Sequence, residues 1–230
     1  MPDIAQRILF EDNHILIVNK LPSEIVQGDK TGDVSLLDDV KSYIKVKYQK
    51  PGEVFAGLVH RIDRPVSGAI VFAKTSKALS RLTVIIKDRD FAKNYLAIVK
   101  NRPGSDEGTL ENFLLKNEDK NKSFVVRSDQ KGAKLARLNY RLIASSSNFH
   151  LLEIELLTGR HHQIRAQLSA IGCPIKGDLK YGYDRSNEDG SICLHAWKIS
   201  FEHPVKKEMM YVQAPPPTGT PWKFFESFTV

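Results

Sequence analysis

His60-Arg61-Ile62-Asp63-Arg64-Pro65-Val66-Ser67-Gly68-Ala69-Ile70-Val71-Phe72-Ala73-Lys74 carries more information than any other stretch of this chain. Three cations, Arg61, Arg64 and Lys74, accompany one carboxylate, Asp63, and a Ser-Gly pair then opens the apolar run Ala69 to Ala73. A run this short beside a glycine predicts a buried strand. Asp63 is then expected in the loop entering that strand, where a rigid sheet holds it. Loops positioned by a scaffold are where catalytic groups concentrate. Residue types alone leave a second reading open, a surface Arg-Asp-Arg ion cluster of little energetic weight.

Working outward, Ile8 to Phe10 and Ile15 to Val18 flank a polar Glu-Asp-Asn-His turn and predict a hairpin. Leu36, Leu37, Val40, Tyr43 and Ile44 recur at helical spacing, with an end near Lys47. Thr75 is suited to cap a second helix whose stripe is Leu79, Leu82, Ile85 and Ile86. Tyr95 to Val99 predicts a strand. Leu135 to Ile143 and Phe149 to Leu157 predict a hairpin across Ser145 to Asn148. A short helix follows Thr158, with Ile164, Leu168 and Ile171 on one side and Gly172 as its stop. Strands near Ile192 to Phe201 and Met209 to Val212 come next, and the polar stretch Lys116 to Lys122 reads as a mobile loop. Most strands follow one another without a helical crossover. The fold class is therefore α+β, a mixed, mainly antiparallel sheet with flanking helices. No linker divides the 230 residues, so residues 1–230 are expected to form one domain.

Two further segments join the opening one. Lys93-Asn94-Tyr95-Leu96-Ala97-Ile98-Val99 is the first. Thr158-Gly159-Arg160-His161-His162-Gln163-Ile164-Arg165 is the second, continuing to Gly172-Cys173-Pro174-Ile175-Lys176-Gly177-Asp178 and Tyr181-Gly182. Together the three resemble, in order, the motifs of the RluA-type pseudouridine synthases. Those read His-Arg-Leu-Asp-Arg-x-Thr-Ser-Gly, Lys-x-Tyr-x-Ala-x-Val and Thr-Gly-Arg-x-His-Gln-Ile-Arg, the last with a Gly-x-Pro-Ile-x-Gly-Asp-x-x-Tyr-Gly tail. This chain departs at Ile62 for Leu, at Val66 for Thr, which removes a hydroxyl, and at Ala166-Gln167, where many members have an apolar residue and His. The resemblance covers roughly residues 8 to 213. Many relatives carry an N-terminal S4 RNA-binding domain, and the early start of the family-like sequence leads us to expect none.

The resemblance implies an isomerase that converts specific uridines of structured RNA, ribosomal or transfer, to pseudouridine. It makes Asp63 the catalytic carboxylate, acting on the sugar carbon as a nucleophile or by stabilising its positive character. Tyr95 would stack on the target base and help in proton transfer, after the base has left its helix. Burial disfavours an ionised carboxylate and a neighbouring cation restores it. The family pairs a basic residue of its third motif with the aspartate, which points to Arg165, with Arg160 as second choice. On a helix running from Thr158, Arg165 and His161 would share a face at i, i+4. His60, Arg61, Ile62, Arg64, Lys93, Arg160 and His162 are the expected RNA and substrate contacts.

The reaction needs no redox group or donor, and the chain contains neither a Gly-x-Gly-x-x-Gly fingerprint nor a Walker loop, so no cofactor is expected. His60, His161 and His162 with Asp63 could in principle bind zinc. Adjacent helical residues point about 100° apart, however, so no metal is expected. Cys173 and Cys193 form no metal-ligand spacing and read as reduced, buried thiols. The net charge of +7 suits an anionic partner such as RNA. No apolar stretch approaches the roughly 18 residues of a membrane span. The first residues lack the order of a signal peptide. A cytoplasmic monomer with no membrane or protein partner is the expectation. Two other classes compete: a non-catalytic RNA-binding protein of the same fold, and a ribonuclease using His60 and His161 as acid and base.

Overall fold

The structure is a computed structural model that describes residues 3–28 and 32–229. Met1 and Pro2, which open the stretch read as lacking a signal peptide, lie outside them. In chain order the strands and α-helices are β1 (Ile8–Glu11), β2 (Ile15–Lys20), α1 (Leu36–Lys47), β3 (Gly57–Leu58), β4 (Ser67–Ala73), α2 (Ser76–Asp88) and β5 (Ala92–Val99). There follow β6 (Glu107–Asn117), β7 (Lys122–Val126), β8 (Lys134–Ser145), β9 (His150–Leu156), α3 (Gln163–Ala170), β10 (Leu194–Glu202) and β11 (Met209–Gln213). The fold is α+β with a mainly antiparallel sheet, as the strand-after-strand pattern predicts. No helix among the described residues is long and apolar enough to cross a membrane.

The chain folds into two compact units. The first comprises Met1–Ala92 and Ala196–Pro215. Its strands run in the order β1-β2-β4-β10, with β3 on β4 and β11 on β10. All seven residues of β4 are buried, which is why it reads as an unbroken apolar run. Its antiparallel pairing with β2 sets Ile15 opposite Ala73 and Lys20 opposite Gly68. Ile15, Ile17, Ala69, Val71 and Ala73 then present one apolar face, on which α2 lays Ala78 and Leu82. Fully burying Leu82 contributes roughly 2 kcal/mol. Thr75 caps α2, its Oγ1 accepting from Ala78 N at 3.1 Å. Ser35 and Asp38 form a reciprocal capping box on α1.

The second unit comprises Lys93–His195 and Pro216–Val230, with the strand order β5-β9-β8-β6-β7. The pairs β5–β9, β9–β8, β8–β6 and β6–β7 are all antiparallel. The hairpin across Ser145 to Asn148 is present. Within Lys116 to Lys122, read as a mobile loop, residues 118–121 form the turn of the β6–β7 hairpin, and the flanking residues belong to its strands. Asn117 Oδ1 accepts from Lys120 N at 2.8 Å, and Asn121 takes the left-handed conformation the turn needs. Strand β6 escapes a hydropathy reading because only Leu114 of its 11 residues is buried, the others being exposed or half-buried.

Helix α3 begins later than the motif suggests. His162 is left-handed, at φ 51°, and the helix starts at Gln163. His161 therefore precedes the helix and shares no helical face with Arg165. Gly172, at φ 75°, follows the helix end as expected, but Ile171 is exposed and does not extend the Ile164–Leu168 stripe.

Candidate active site

In the first unit, Asp63 is half-buried in the loop that feeds β4. The loop is held through its main chain. Val66 N donates to Asp63 O at 3.0 Å. Lys20, fully buried at the end of β2, donates its Nζ to the carbonyls of Arg64 at 3.0 Å, Val66 at 2.7 Å and Leu21 at 2.9 Å. Burial pulls the Lys20 pKa down to about 7, against the pull of the Glu24 and Asp63 carboxylates, which favour its charge. Ser23 N adds a bond to Arg64 O at 2.9 Å. Val66 is buried, so the side chain that replaces the family's Thr packs into the core, while its carbonyl meets Lys20.

The neighbours of Asp63 separate. Ile62 is buried and Arg61 is exposed. Arg64 is exposed, with Nη2 at 2.9 Å from Asp33 and Nε donating to Ser23 O at 3.1 Å. His60 Nε2 accepts the Val71 N–H at 3.2 Å and its ring meets Phe91 at 5.4 Å, which ties the loop to β4. Lys74 does not join Asp63. It lies beyond the far end of β4, 2.7 Å from Glu11. Glu11 also accepts from Lys47, Tyr43 and Tyr48. Burial would raise the pKa of that carboxyl, but the lysines and phenols hold it down to about 2.

In the second unit, Tyr95 is buried on β5 opposite Ile154 of β9. Lys93 lies two residues earlier, on the same side of the strand. Its Nζ comes within 3.9 Å of where a Cβ on Gly159 would sit, so the second and third motifs meet there. Burial lowers the Lys93 pKa.

The third motif is a turn stitched to β8. Thr158 Oγ1 accepts from Arg137 N at 2.8 Å and donates to Gln163 Oε1 at 2.7 Å, and Arg160 Nε donates to Leu135 O at 2.9 Å. The turn delivers Arg165 into the interior of the unit. Its Nε and Nη2 bind the two oxygens of Asp178 at 2.7 and 2.8 Å, and both side chains are buried. This is the bidentate geometry a guanidinium fork provides. The guanidinium also lies 5.0 Å from the centre of the Tyr181 ring. Asp178 carries no role in the reading from sequence, although it stands in the motif's tail. An acidic residue in a motif that ends on a buried arginine is the signal that would have found it.

His161 and His162 do not diverge as successive helical residues would. Outside the helix their rings stack, 3.8 Å apart. His162 Nδ1 meets Tyr181 Oη at 3.0 Å. Burial, followed by the charges of Arg165, His161, Lys180 and Lys116, drives the His162 pKa down to about 2, so its ring is neutral. His161 bonds Asn121 and Ser123 through its two ring nitrogens, both at 3.0 Å. His60, the other histidine of the ribonuclease reading, is engaged by Val71. Among the described residues, no group of three or more His, Cys, Asp or Glu is arranged to hold a metal ion. Gln167, the departure after Arg165, is fully buried and donates to Leu110 O at 3.0 Å and Asn112 Oδ1 at 2.8 Å, which ties α3 to β6.

The comparisons with known proteins agree with this framework. Residues 14–170 match the family model described as RNA pseudouridylate synthase. The ribosomal large subunit pseudouridine synthase D of Zymomonas mobilis is 33% identical over 94% of this chain and 70% of its own length. The ribosomal large subunit pseudouridine synthase C of Escherichia coli is 32% identical over 94% and 68%. The solved structure of human RNA pseudouridylate synthase domain containing 4 shares the fold, with a TM-score of 0.78 at 23% identity over 93% of this chain and 90% of that one. The chain belongs to the RNA pseudouridylate synthase family, whose members are isomerases acting on RNA.

Proposed function

We propose that the two units work as one catalytic domain that isomerises specific uridines of structured RNA to pseudouridine without a cofactor, as a cytoplasmic monomer. Ribosomal RNA is the favoured substrate, because the two relatives above are named for the large ribosomal subunit; transfer RNA is the alternative. Asp63 is the essential carboxylate. The target base is flipped out of its helix and stacks on Tyr95. Arg165 acts as the counter-ion of Asp63. Its guanidinium has two carboxylate-matching edges, and Asp178 takes the one formed by Nε and Nη2. His60, Arg61, Ile62, Arg64, Lys93, Arg160 and His162 line the path of the RNA.

The observation that carries this reading is the way Asp63 is prepared. An otherwise irregular loop is fixed by bonds from one buried lysine to two of its carbonyls, those of Arg64 and Val66, so its carboxylate is preorganised. The test is pseudouridine mapping in a transcript of the large-subunit ribosomal RNA made with uridine only. The purified chain should form pseudouridine at discrete sites, and in EDTA as well as without it. A transcript unchanged by the enzyme, with transfer RNA unchanged too, would contradict the proposal.

A further inference from the structure

The β6–β7 hairpin stands out in the second unit. A two-stranded ribbon is marginal by itself, yet the tip of this one is tied down by five hydrogen bonds to side chains from outside it. His161 bridges Asn121 and Ser123. Tyr181 Oη accepts from Ser123 N at 2.9 Å and donates to Ser123 O at 3.2 Å, while Lys180 Nζ donates to Asn121 O at 3.2 Å. Tyr181 is also the residue whose ring lies beside Arg165 and whose hydroxyl meets His162. The hairpin tip is thus fastened to the same residues that surround the buried arginine.

What the tip presents is basic and aromatic. Lys122 Nζ lies over two rings, 5.3 Å from the centre of Phe124 and 4.8 Å from that of Tyr181. Lys120 and Lys180 are exposed beside it. Phe124 is 38% exposed on β7, a large apolar ring at the outer end of the unit's strand order. Lysines on an edge strand also have a simpler use, which is to block pairing with other chains. That use requires charge of either sign. It does not require an exposed aromatic, nor a tip fastened to a functional segment.

We propose that this hairpin is an RNA-gripping arm: Lys120, Lys122 and Lys180 take backbone phosphates, and Phe124 offers a face for an unpaired base. The inference rests on the function proposed above and adds the surface that holds the substrate. A preorganised lysine loses little freedom on meeting a phosphate, and base stacking on an aromatic ring tolerates any sequence.

The test is fluorescence anisotropy of the full chain, titrated against labelled polyuridylate and a labelled large-subunit ribosomal RNA transcript over a range of KCl. Lys120→Glu/Lys122→Glu keeps a charged edge but reverses its sign. Lys120→Gln/Lys180→Gln is the milder variant, should the first disturb the hairpin. Lys45→Glu/Lys50→Glu, on and just after α1, has the same net charge as the first variant and serves as control. The hairpin reversal should raise Kd at least tenfold and flatten the log–log salt slope by about 1.5–2, one increment per lost phosphate contact. The Gln pair should shift both in the same direction, and the control should stay within about twofold of wild type. Phe124→Ser should weaken polyuridylate binding by roughly tenfold. Hairpin variants that bind like the control, in a wild type that does bind RNA, would overturn the arm and leave the catalytic proposal standing. A wild-type chain that binds neither RNA would sink both.

Discussion

The loop that carries Asp63 and the helix start that carries Arg165 are fixed by opposite means. Around Asp63 the main chain is gripped: one buried lysine binds the carbonyls of Arg64 and Val66, while Ile62 and Val66 are left to pack. Around Arg165 the side chain itself is gripped, by a buried carboxylate at both oxygens. A loop held by its carbonyls tolerates changes in its own side chains, which is consistent with Ile62 and Val66 replacing the family's Leu and Thr. A side chain held by its charge tolerates no change in its partner.

Three substitutions and a pH titration sharpen this contrast, taken from the largest effect to the smallest. Gly68 has φ 119°, and a Cβ there would run into the backbone of Ala196. Gly68→Ala should cost on the order of 4 kcal/mol or more, or prevent folding, because the atoms it would meet are backbone and not the end of a flexible side chain. Urea unfolding followed by circular dichroism measures it.

Asp178→Ala leaves a buried guanidinium without its carboxylate and should cost about 3–5 kcal/mol. The double variant Asp178→Ala/Arg165→Met should be more stable than Asp178→Ala alone, because no lone charge stays buried. Equal or lower stability of the double variant would mean that the pair is not what holds the helix start.

Lys20→Met removes the donor to three carbonyls. The expected loss is about 2–3 kcal/mol, less than for Asp178, because Arg64 O keeps its bond from Ser23 N. It should appear as a lower unfolding midpoint.

The smallest effect is at Glu11. Its folded pKa, about 2, lies below its unfolded value near 4.5. The stabilisation is therefore complete above about pH 4.5 and is lost as pH falls from there towards 2. Allowing for the half-exposed Lys47, it amounts to about 1–2 kcal/mol. Glu11→Gln should flatten the acid limb of stability against pH by that amount and leave the alkaline side alone.

The contrast also explains what the sequence could and could not disclose. β4 is legible because every residue in it is buried, and α2 because Thr75 and Leu82 obey local rules of capping and periodicity. Asp63, Tyr95 and Arg165 are legible as members of motifs. Their supports are not. Lys20 reaches Arg64 across 44 positions, and Arg165 reaches Asp178 across 13, so no local pattern links the partners. Lys74 misleads for the same reason: it follows Asp63 closely in sequence, but a fully buried strand separates them. The His161–His162 pair misleads because one left-handed residue delays the helix, and successive rings that a helix would splay apart can then stack.

The central claim is that Asp63 supplies the charge the reaction requires. The most direct test is a single-turnover assay of Asp63→Asn on a uridine-only transcript of the large-subunit ribosomal RNA, at enzyme concentrations that saturate binding. The substitution is nearly isosteric and leaves the carbonyl bonds of the loop in place, so RNA binding should match wild type. No pseudouridine should form, however long the incubation. Measurable isomerisation by the Asn variant would contradict the account and remove Asp63 from the chemistry.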